Sequence, residues 1–164
     1  MRLFVAIQLS DDMRKAIHRV QEMLLRQGVR GNYTPEENLH LTLAFIGEYN
    51  DPEVVLDAIE SVSFVPFELS LNGLGAFGDL WWIGLERSQA LQDYVRRLRR
   101  ALAEAEIPFD KKRFSPHITV LRRADNDLAK LREISVERAG MMADHASLMR
   151  SDRGKRGMIY TEIV

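Results

Sequence analysis

Cysteine is absent from the chain. Its absence excludes disulfide bonds, thiol nucleophiles and thiolate metal ligands, and it fits a reducing compartment. A long hydrophobic run is also lacking, because the apolar segment at the start, Leu3–Leu9, is too short for a signal peptide or a membrane span. This segment is typical of a buried strand. We therefore expect a cytoplasmic protein that has no association with a membrane.

Charge of one sign is not in excess either, because 23 Lys and Arg balance 24 Asp and Glu to a formal net charge of −1. Whole-chain electrostatics therefore give no reason to expect broad, tight binding to long nucleic acids. Glycine and proline are few, at 10 and 5, which argues against a disordered or fibrous chain. The 164 residues, 46% of them hydrophobic, predict one globular domain with a buried core, and we expect a monomer.

Apolar, partly β-branched segments and amphipathic segments of helical period follow one another along the chain. The predicted strands are 3–9, 38–45, 67–71, 80–85, 114–121, 146–150 and 158–164. Helices are predicted after the caps Ser10, Asp51 and Ser88, with a further short helix over 126–134. Gly73, Gly75 and Gly78 predict a turn region after the third strand. Neighbouring strands joined by short turns indicate an α+β fold with mainly antiparallel sheets flanked by helices.

Two short stretches share one pattern of His, aliphatic, Thr and aliphatic residues. They are His40-Leu41-Thr42-Leu43 and His117-Ile118-Thr119-Val120, and each lies in a predicted strand. Because side chains alternate across a strand, the histidine and threonine of each stretch face one way and the aliphatic residues face the core. The two histidines are separated by close to half of the chain, which suggests a duplication. We expect one bilobal domain over residues 1–164, with one motif per lobe and both motifs facing a central cleft.

A single His-x-Thr would be an incidental polar face of a strand, but two copies can perform acid–base chemistry. Opening a phosphodiester requires a base that deprotonates the attacking water and an acid that protonates the leaving oxygen. Imidazoles, with an ordinary pKa of ~6.5, can divide these tasks near neutral pH. We therefore predict His40 and His117 as catalytic residues. Thr42 and Thr119 are predicted to bind the non-bridging phosphate oxygens.

These motifs and their flanks resemble the two-histidine (2H) phosphoesterases, most closely the LigT-like RNA 2′,3′-cyclic phosphodiesterases of the 2′-5′ RNA ligase family. The resemblance covers nearly the whole chain and is carried by residues 2–7, 38–48, 82–84 and 114–120. It implies a bilobal, pseudo-twofold LigT-like fold that hydrolyses an RNA-terminal 2′,3′-cyclic phosphate to a 2′-phosphomonoester. It also implies that RNA 3′ ends or nucleotide cyclic phosphates are the partners. His40 would be the acid and His117 the base, although the symmetry of the motifs leaves these roles interchangeable.

Two further site residues, Phe45 and Arg122, are implied by the same resemblance. The ring of Phe45 would stack on a base, and the guanidinium of Arg122 would contact phosphate. Both lie an odd number of residues after their histidine, so strict alternation would turn them away from the cleft. We therefore expect a β-bulge or the end of a strand before each of them. Tyr33 stands where many relatives carry tryptophan, which bears on base preference more than on activity.

Other kinds of site have little support in the sequence, and we expect no metal and no cofactor. Histidine pairs at metal-binding spacing are absent, and the glycines do not open a helix in a dinucleotide-binding pattern. Two alternatives stay open. The first is a non-catalytic module that binds RNA ends or nucleotides, against which the matched histidines argue. The second is a phosphodiesterase or ligase that acts on 2′-5′ linkages or small cyclic phosphates, which the sequence does not separate from the main prediction.

Overall fold

The structure is a computed structural model that describes residues 1–125 and 128–164. These residues form three α-helices and nine β-strands, which confirms the predicted α+β class. The helices are α1 (Asp11–Arg26), α2 (Pro52–Glu60) and α3 (Gln89–Glu104). The strands are β1 (Arg2–Gln8), β2 (Asn32–Tyr33), β3 (His40–Glu48), β4 (Phe67–Phe77), β5 (Leu80–Leu85), β6 (His117–Arg122), β7 (Gly140–Ala143), β8 (Ser147–Gly154) and β9 (Gly157–Ile163).

The strands form two antiparallel sheets, and each sheet contains one of the two His-x-Thr motifs. The first sheet has the order β3-β1-β8-β9, and the second has the order β2-β6-β5-β4-β7. Every described pair of neighbouring strands is antiparallel. Neither sheet is built from one half of the sequence, because the last two strands of the chain complete the sheet that begins with β1. In these strand orders, β3 with the first motif is an edge strand, whereas β6 with the second motif lies between β2 and β5.

Serine caps begin α1 and α3 where the sequence predicts them. The Ser10 hydroxyl accepts a hydrogen bond from the Met13 amide at 3.2 Å, and the Ser88 hydroxyl accepts one from the Leu91 amide at 3.1 Å. Each bond satisfies an amide that lacks a partner in the first turn of its helix. Both helices bury one apolar face; α1 packs on β6 and α3 packs on β3. Among the described residues, no helix is long and apolar enough to span a membrane.

The aliphatic residues of both motifs lie in the hydrophobic core. Leu41 and Leu43 on β3, and Ile118 and Val120 on β6, are fully buried. Burial of a side chain of this size contributes ~1.5–3 kcal/mol relative to exposure. Because side chains alternate along each strand, this burial fixes the direction of the opposite face. The histidine and threonine of each motif are half-buried on that opposite face, as predicted.

The glycine-rich segment 73–78 is not the turn region that the sequence predicts. β4 continues through Gly73 and Gly75, and only Gly78 lies in the turn to β5, with φ +61°. Gly73, with φ +69°, lies at a break in strand register, which is a β-bulge. A Cβ at Gly75 would lie 2.2 Å from the ring of Trp82, so this glycine leaves room for an indole from the neighbouring strand. The prediction was wrong because these two glycines serve a bulge and a cross-strand contact without ending the strand.

Four shorter elements also differ from the sequence prediction. β2 and β7 were not predicted, because they have only two and four residues, too few to show the alternation of a strand. β6 begins at His117, three residues later than predicted, because the preceding proline has no amide hydrogen for a sheet ladder. Of the helix predicted over 126–134, residues 126 and 127 lie outside the described residues. Leu128–Arg132 forms a 3-10 helix.

Candidate active site

The same local contact holds the two motif histidines on their separate strands. Nδ1–H of His40 donates to the Asn38 carbonyl oxygen at 2.7 Å, and Nδ1–H of His117 donates to the Ser115 carbonyl oxygen at 2.7 Å. A carbonyl oxygen can only accept a hydrogen bond, so the proton of each neutral ring lies on Nδ1. Nε2 is therefore the atom of each imidazole that can take up or release a proton.

The threonine of the first motif lies beside the reactive nitrogen of its histidine. Oγ1 of Thr42 is 2.8 Å from Nε2 of His40. When the imidazole is neutral, the hydroxyl donates to Nε2; when it is protonated, Nε2–H donates to the hydroxyl oxygen. Thr119 shares the half-buried face of β6 with His117. Each motif thus presents one imidazole and one hydroxyl together, as the sequence predicts.

Aromatic rings flank both imidazoles. The first histidine has the ring of Phe4 at 5.0 Å and that of Tyr160 at 5.2 Å between centroids. The second has Phe77 at 5.2 Å and Trp82 at 6.3 Å. Tyr160 and Phe77 meet their imidazoles edge to face, which restricts how far each ring can turn. Nothing local in the sequence marks these four residues as neighbours of the histidines, because they come from other strands; Phe4 and Trp82 lie in segments that carry the family resemblance.

The electrostatic environment of His40 links the two sheets. Burial is the largest cause that lowers the pKa of His40 below its ordinary value, and the charges of Arg122 and His117 lower it further. The hydrogen bond to the Asn38 carbonyl acts in the opposite direction. Arg122 and His117 both belong to β6, so the second motif strand lies close enough to the first histidine to act on its charge. The two motif strands, β3 and β6, are therefore neighbours in the fold although they belong to different sheets.

A β-bulge places Phe45 on the cleft face of β3. β1 pairs with Thr42 and Ala44 but skips Leu43, and Leu43 and Ala44 are both buried. The extra buried residue reverses the alternation of side chains, so Phe45 turns outward and is 39% exposed. The guanidinium of Arg2 lies 5.3 Å from the centroid of the Phe45 ring. The bulge that the sequence requires before this residue is confirmed.

A second β-bulge, at the equivalent position of β6, turns Arg122 to the same face as the histidine and threonine of its motif. β5 pairs with Thr119 and Leu121 but skips Val120, and Val120 and Leu121 are both buried. The next side chain, Arg122, is exposed and has the same orientation as the motif residues. The bulge at Val120 thus interrupts the strict alternation that would turn Arg122 away from the motif face. The same irregularity occurs at the same distance from both histidines.

Four of the six predicted site residues line one cavity of about 240 Å³. They are His40, Thr42, Phe45 and Arg122, and the lining is completed by Arg2, Phe4, Ser151, Met158 and Tyr160. Of the described residues, His117 and Thr119 are not part of this lining, although His117 acts on the cavity through its charge. An adjoining cavity of about 660 Å³ shares Arg122, Met158 and Tyr160 with the first. The open space beside the first motif is therefore larger than one phosphate group requires.

Tyr33 lines the adjoining cavity and is not a group that exchanges protons near neutral pH. Its hydroxyl donates to the Val29 carbonyl oxygen at 2.8 Å. Burial raises the pKa of Tyr33 to about 12, and the negative charge of Asp125 contributes in the same direction. The phenol therefore stays neutral and presents an aromatic wall to the cavity, at the position where many relatives carry tryptophan.

Two antiparallel sheets, each with one His-x-Thr motif on a half-buried strand face, are the arrangement that the resemblance to the two-histidine phosphoesterases implies. The family model described as the 2′-5′ RNA ligase superfamily matches residues 5–155 of the chain. The chain belongs to this family, as the resemblance of its motifs implies.

Relatives across the whole length of the chain are consistent with this membership. The chain is 30% identical to the RNA 2′,3′-cyclic phosphodiesterase of Methanothermobacter thermautotrophicus, with 99% of the chain and 96% of the relative covered. It is 31% identical to the protein of the same name from Archaeoglobus fulgidus, covering 99% and 98%. Among solved structures, E. coli LigT in its apo form matches with a TM-score of 0.84 at 24% identity, covering 99% of the chain and 94% of LigT. The LigT-like fold is confirmed.

Proposed function

We propose that the chain hydrolyses a 2′,3′-cyclic phosphate at the end of an RNA strand to a 2′-phosphomonoester. The observation that carries this proposal is the matched geometry of His40 and His117, each with Nδ1–H bound to a backbone carbonyl and Nε2 left as the exchangeable position. Two such imidazoles across one cleft supply the proton acceptor and the proton donor that the reaction needs. Membership of the family, and relatives named for this activity, support the substrate class.

In the proposed reaction, His117 takes a proton from water and the water oxygen attacks phosphorus. The bond between phosphorus and the 3′-oxygen breaks, and His40 donates a proton to that oxygen. The phosphate stays on the 2′-oxygen, and proton exchange with solvent restores both imidazoles. A lowered pKa makes the imidazolium of His40 a stronger acid but reduces the fraction of His40 that is protonated near neutral pH, so the direction of the shift does not assign the donor role. The symmetry of the motifs likewise allows the two roles to be exchanged.

The remaining site residues are proposed to hold the substrate. Thr42 and Thr119 bind the non-bridging phosphate oxygens through their hydroxyls, and Arg122 balances the negative charge of the phosphate. Phe45 stacks on a base, for which its exposed ring on the cleft face is suited. We further propose that the two sheets correspond to two lobes of a single domain, with one motif in each. A monomeric state, a cytoplasmic location and the absence of a cofactor stay predictions from the sequence.

The direct test is incubation with a dinucleotide that ends in a 2′,3′-cyclic phosphate, with the product identified by phosphorus NMR. We expect a 2′-phosphomonoester. A 2′-5′-linked dinucleotide and a cyclic mononucleotide, assayed in parallel, compare the other diesters that this cleft can accept. Binding of the cyclic-phosphate dinucleotide without turnover would show a non-catalytic module, and release of a 3′-phosphate would show that the leaving oxygen has been assigned incorrectly.

Replacing either threonine with alanine is expected to reduce kcat/KM by roughly 10- to 100-fold, the effect of one hydrogen bond to a charged group. Proton transfer by the histidines would stay intact, so the loss should be smaller than for removal of an imidazole. Thr42→Ser and Thr119→Ser are the matched controls, because serine keeps the hydroxyl, and they should retain most activity. A loss as large as that of a histidine variant would mean that the threonine takes part in proton transfer.

Activity is expected to survive exhaustive treatment with EDTA, because the proposed mechanism assigns every proton transfer to an imidazole. Among the described residues, no group of three or more His, Asp and Glu side chains is placed to hold a metal ion. The measurement is the initial rate before and after chelation, with added Mg²⁺, Mn²⁺ or Zn²⁺ as separate arms. Loss of activity that a divalent ion restores would contradict the mechanism.

A further inference from the structure

The carbonyl oxygen at the β-bulge of the first motif is bound by an arginine from α3. Leu43 O accepts hydrogen bonds from Nε of Arg99 at 3.2 Å and from Nη2 at 3.0 Å. Nη1 of the same guanidinium donates to the Lys112 carbonyl oxygen at 2.7 Å. The rings of Phe109 and Phe114 lie 5.9 and 5.6 Å from the guanidinium carbon, which limits its movement. A bulged residue is left out of the sheet ladder, and here a side chain replaces the missing strand partner.

The second motif has the same arrangement, with a glutamine from α1 in place of the arginine. Val120 O accepts a hydrogen bond from Nε2 of Gln21 at 3.0 Å, together with one from the Thr34 amide at 3.0 Å. Nε2 of Gln21 also donates to the Thr34 carbonyl oxygen at 2.9 Å. Gln21 is only 3% exposed, so its amide nitrogen is held by these two carbonyl oxygens inside the protein, and its Oε1 lies 3.4 Å from Nδ1 of His18. Leu43 and Val120 are each the third residue after their motif histidine.

We propose that Arg99 and Gln21 are positioning residues that hold the two bulges, and that they thereby keep Phe45 and Arg122 on the cleft face. The proposal rests on the proposed function for its kinetic readout. Each clamped carbonyl lies directly before the point at which alternation reverses, and the residue that faces the cleft follows two positions later. Without these side-chain hydrogen bonds to the bulge carbonyl, the strand can regain regular pairing. A strand that slips by one residue turns the following side chains to the opposite face.

The first arm of the test concerns Arg99→Met, which keeps an unbranched apolar stem but removes all three hydrogen bonds. We expect KM for a dinucleotide ending in a 2′,3′-cyclic phosphate to rise roughly threefold to thirtyfold, which lies within the range of coupling between residues in one network. Change in kcat should be small, because His40 and Thr42 precede the bulge and keep their pairing with β1. Arg99→Lys, which retains one donor, should recover part of the loss.

Arg97→Met is the matched control for this arm. Arg97 lies on the same helix and also donates to a backbone carbonyl, that of Ser63 at 2.9 Å, but it does not reach a bulge. The Arg97→Met substitution should leave KM unchanged even if it lowers the melting temperature. A general loss of stability would affect both variants, whereas loss of positioning would affect Arg99→Met alone.

A double-mutant cycle separates positioning from general damage. If Arg99 acts through Phe45, then Arg99→Met in a Phe45→Ala background should add little to the rise in KM. Gln21→Met should likewise add little to the loss of kcat/KM in an Arg122→Met background. Additive losses in both cycles would overturn the proposal, because they would show that the clamps act independently of the residues they are said to place.

Failure of the proposed function would be distinguishable from failure of this inference. If the wild-type chain did not turn over the dinucleotide, both cycles would be measured by calorimetry as affinity for adenosine 2′-monophosphate. Coupling between Arg99 and Phe45, and between Gln21 and Arg122, would then still support the clamps. Additive affinities would overturn them. The arm on Arg99, which is half-buried, remains informative if the more deeply buried Gln21→Met variant does not fold.

Discussion

Replacing His40 or His117 with alanine is expected to reduce kcat by about 10²- to 10⁴-fold, the usual contribution of a positioned acid or base. Each imidazole has its Nδ1–H held by a carbonyl oxygen, so Nε2 is already oriented for proton transfer in the free protein. The measurement is single-turnover hydrolysis of the cyclic-phosphate dinucleotide. His145→Ala is the matched control, because this exposed histidine bonds to its neighbour Asp144 and should leave the rate unchanged.

The double variant, His40→Ala with His117→Ala, should lose much less than the product of the two single losses. Once one imidazole is absent, the concerted pathway is lost and the other can contribute little, so groups that act as a unit give non-additive effects. Multiplicative losses would mean that the two histidines act in separate steps. Wild-type activity in either single variant would remove that residue from the mechanism.

The direction of each motif side chain could be predicted from the sequence, because it depends only on local alternation. Leu41 and Ile118 are buried, and the histidines and threonines lie half-buried on the opposite face, as a strand with one buried face requires. The serine caps of α1 and α3 were likewise predictable, since a hydroxyl before an amphipathic segment satisfies amides only a few residues away. Features that depend on neighbours in sequence were thus accessible without a structure.

The sequence indicates that each strand needs a bulge or an end before Phe45 and Arg122, but it does not show what causes the bulges. Nothing local at Leu43 or Val120 marks a break in alternation; the carbonyl oxygens there are bound by side chains 56 and 99 residues away in sequence. Gly75 was misread for the same reason, because its role depends on an indole from β5. Tyr160, which packs against the first histidine, reaches the site only because β8 and β9 complete the first sheet. Long-range pairing of this kind leaves no period in a single sequence.

The pH dependence of kcat/KM is expected to be a bell, with the rate falling about tenfold per pH unit beyond each limb. Catalysis needs one neutral and one protonated imidazole, and that state is depleted in acid, where both are protonated, and in alkali, where both are neutral. Burial, followed by the charges of Arg122 and His117, lowers the pKa of His40. The limb to which His40 contributes should therefore lie on the acid side of ~6.5, the value for a free imidazole.

Arg122→Met tests the sign of this effect, because removing a nearby positive charge makes protonation of His40 easier. The limb to which His40 contributes should then move to higher pH, whereas a variant of an exposed arginine remote from the cleft, such as Arg97→Met, should leave the profile in place.

The two imidazoles influence one another, so both limbs describe the pair and not single residues. Initial rates from about pH 4.5 to 9 cover the relevant range. A non-catalytic binder would show no turnover at any pH, with affinity for phosphate rising as the imidazoles become protonated. A flat profile with turnover would mean that neither histidine transfers a proton.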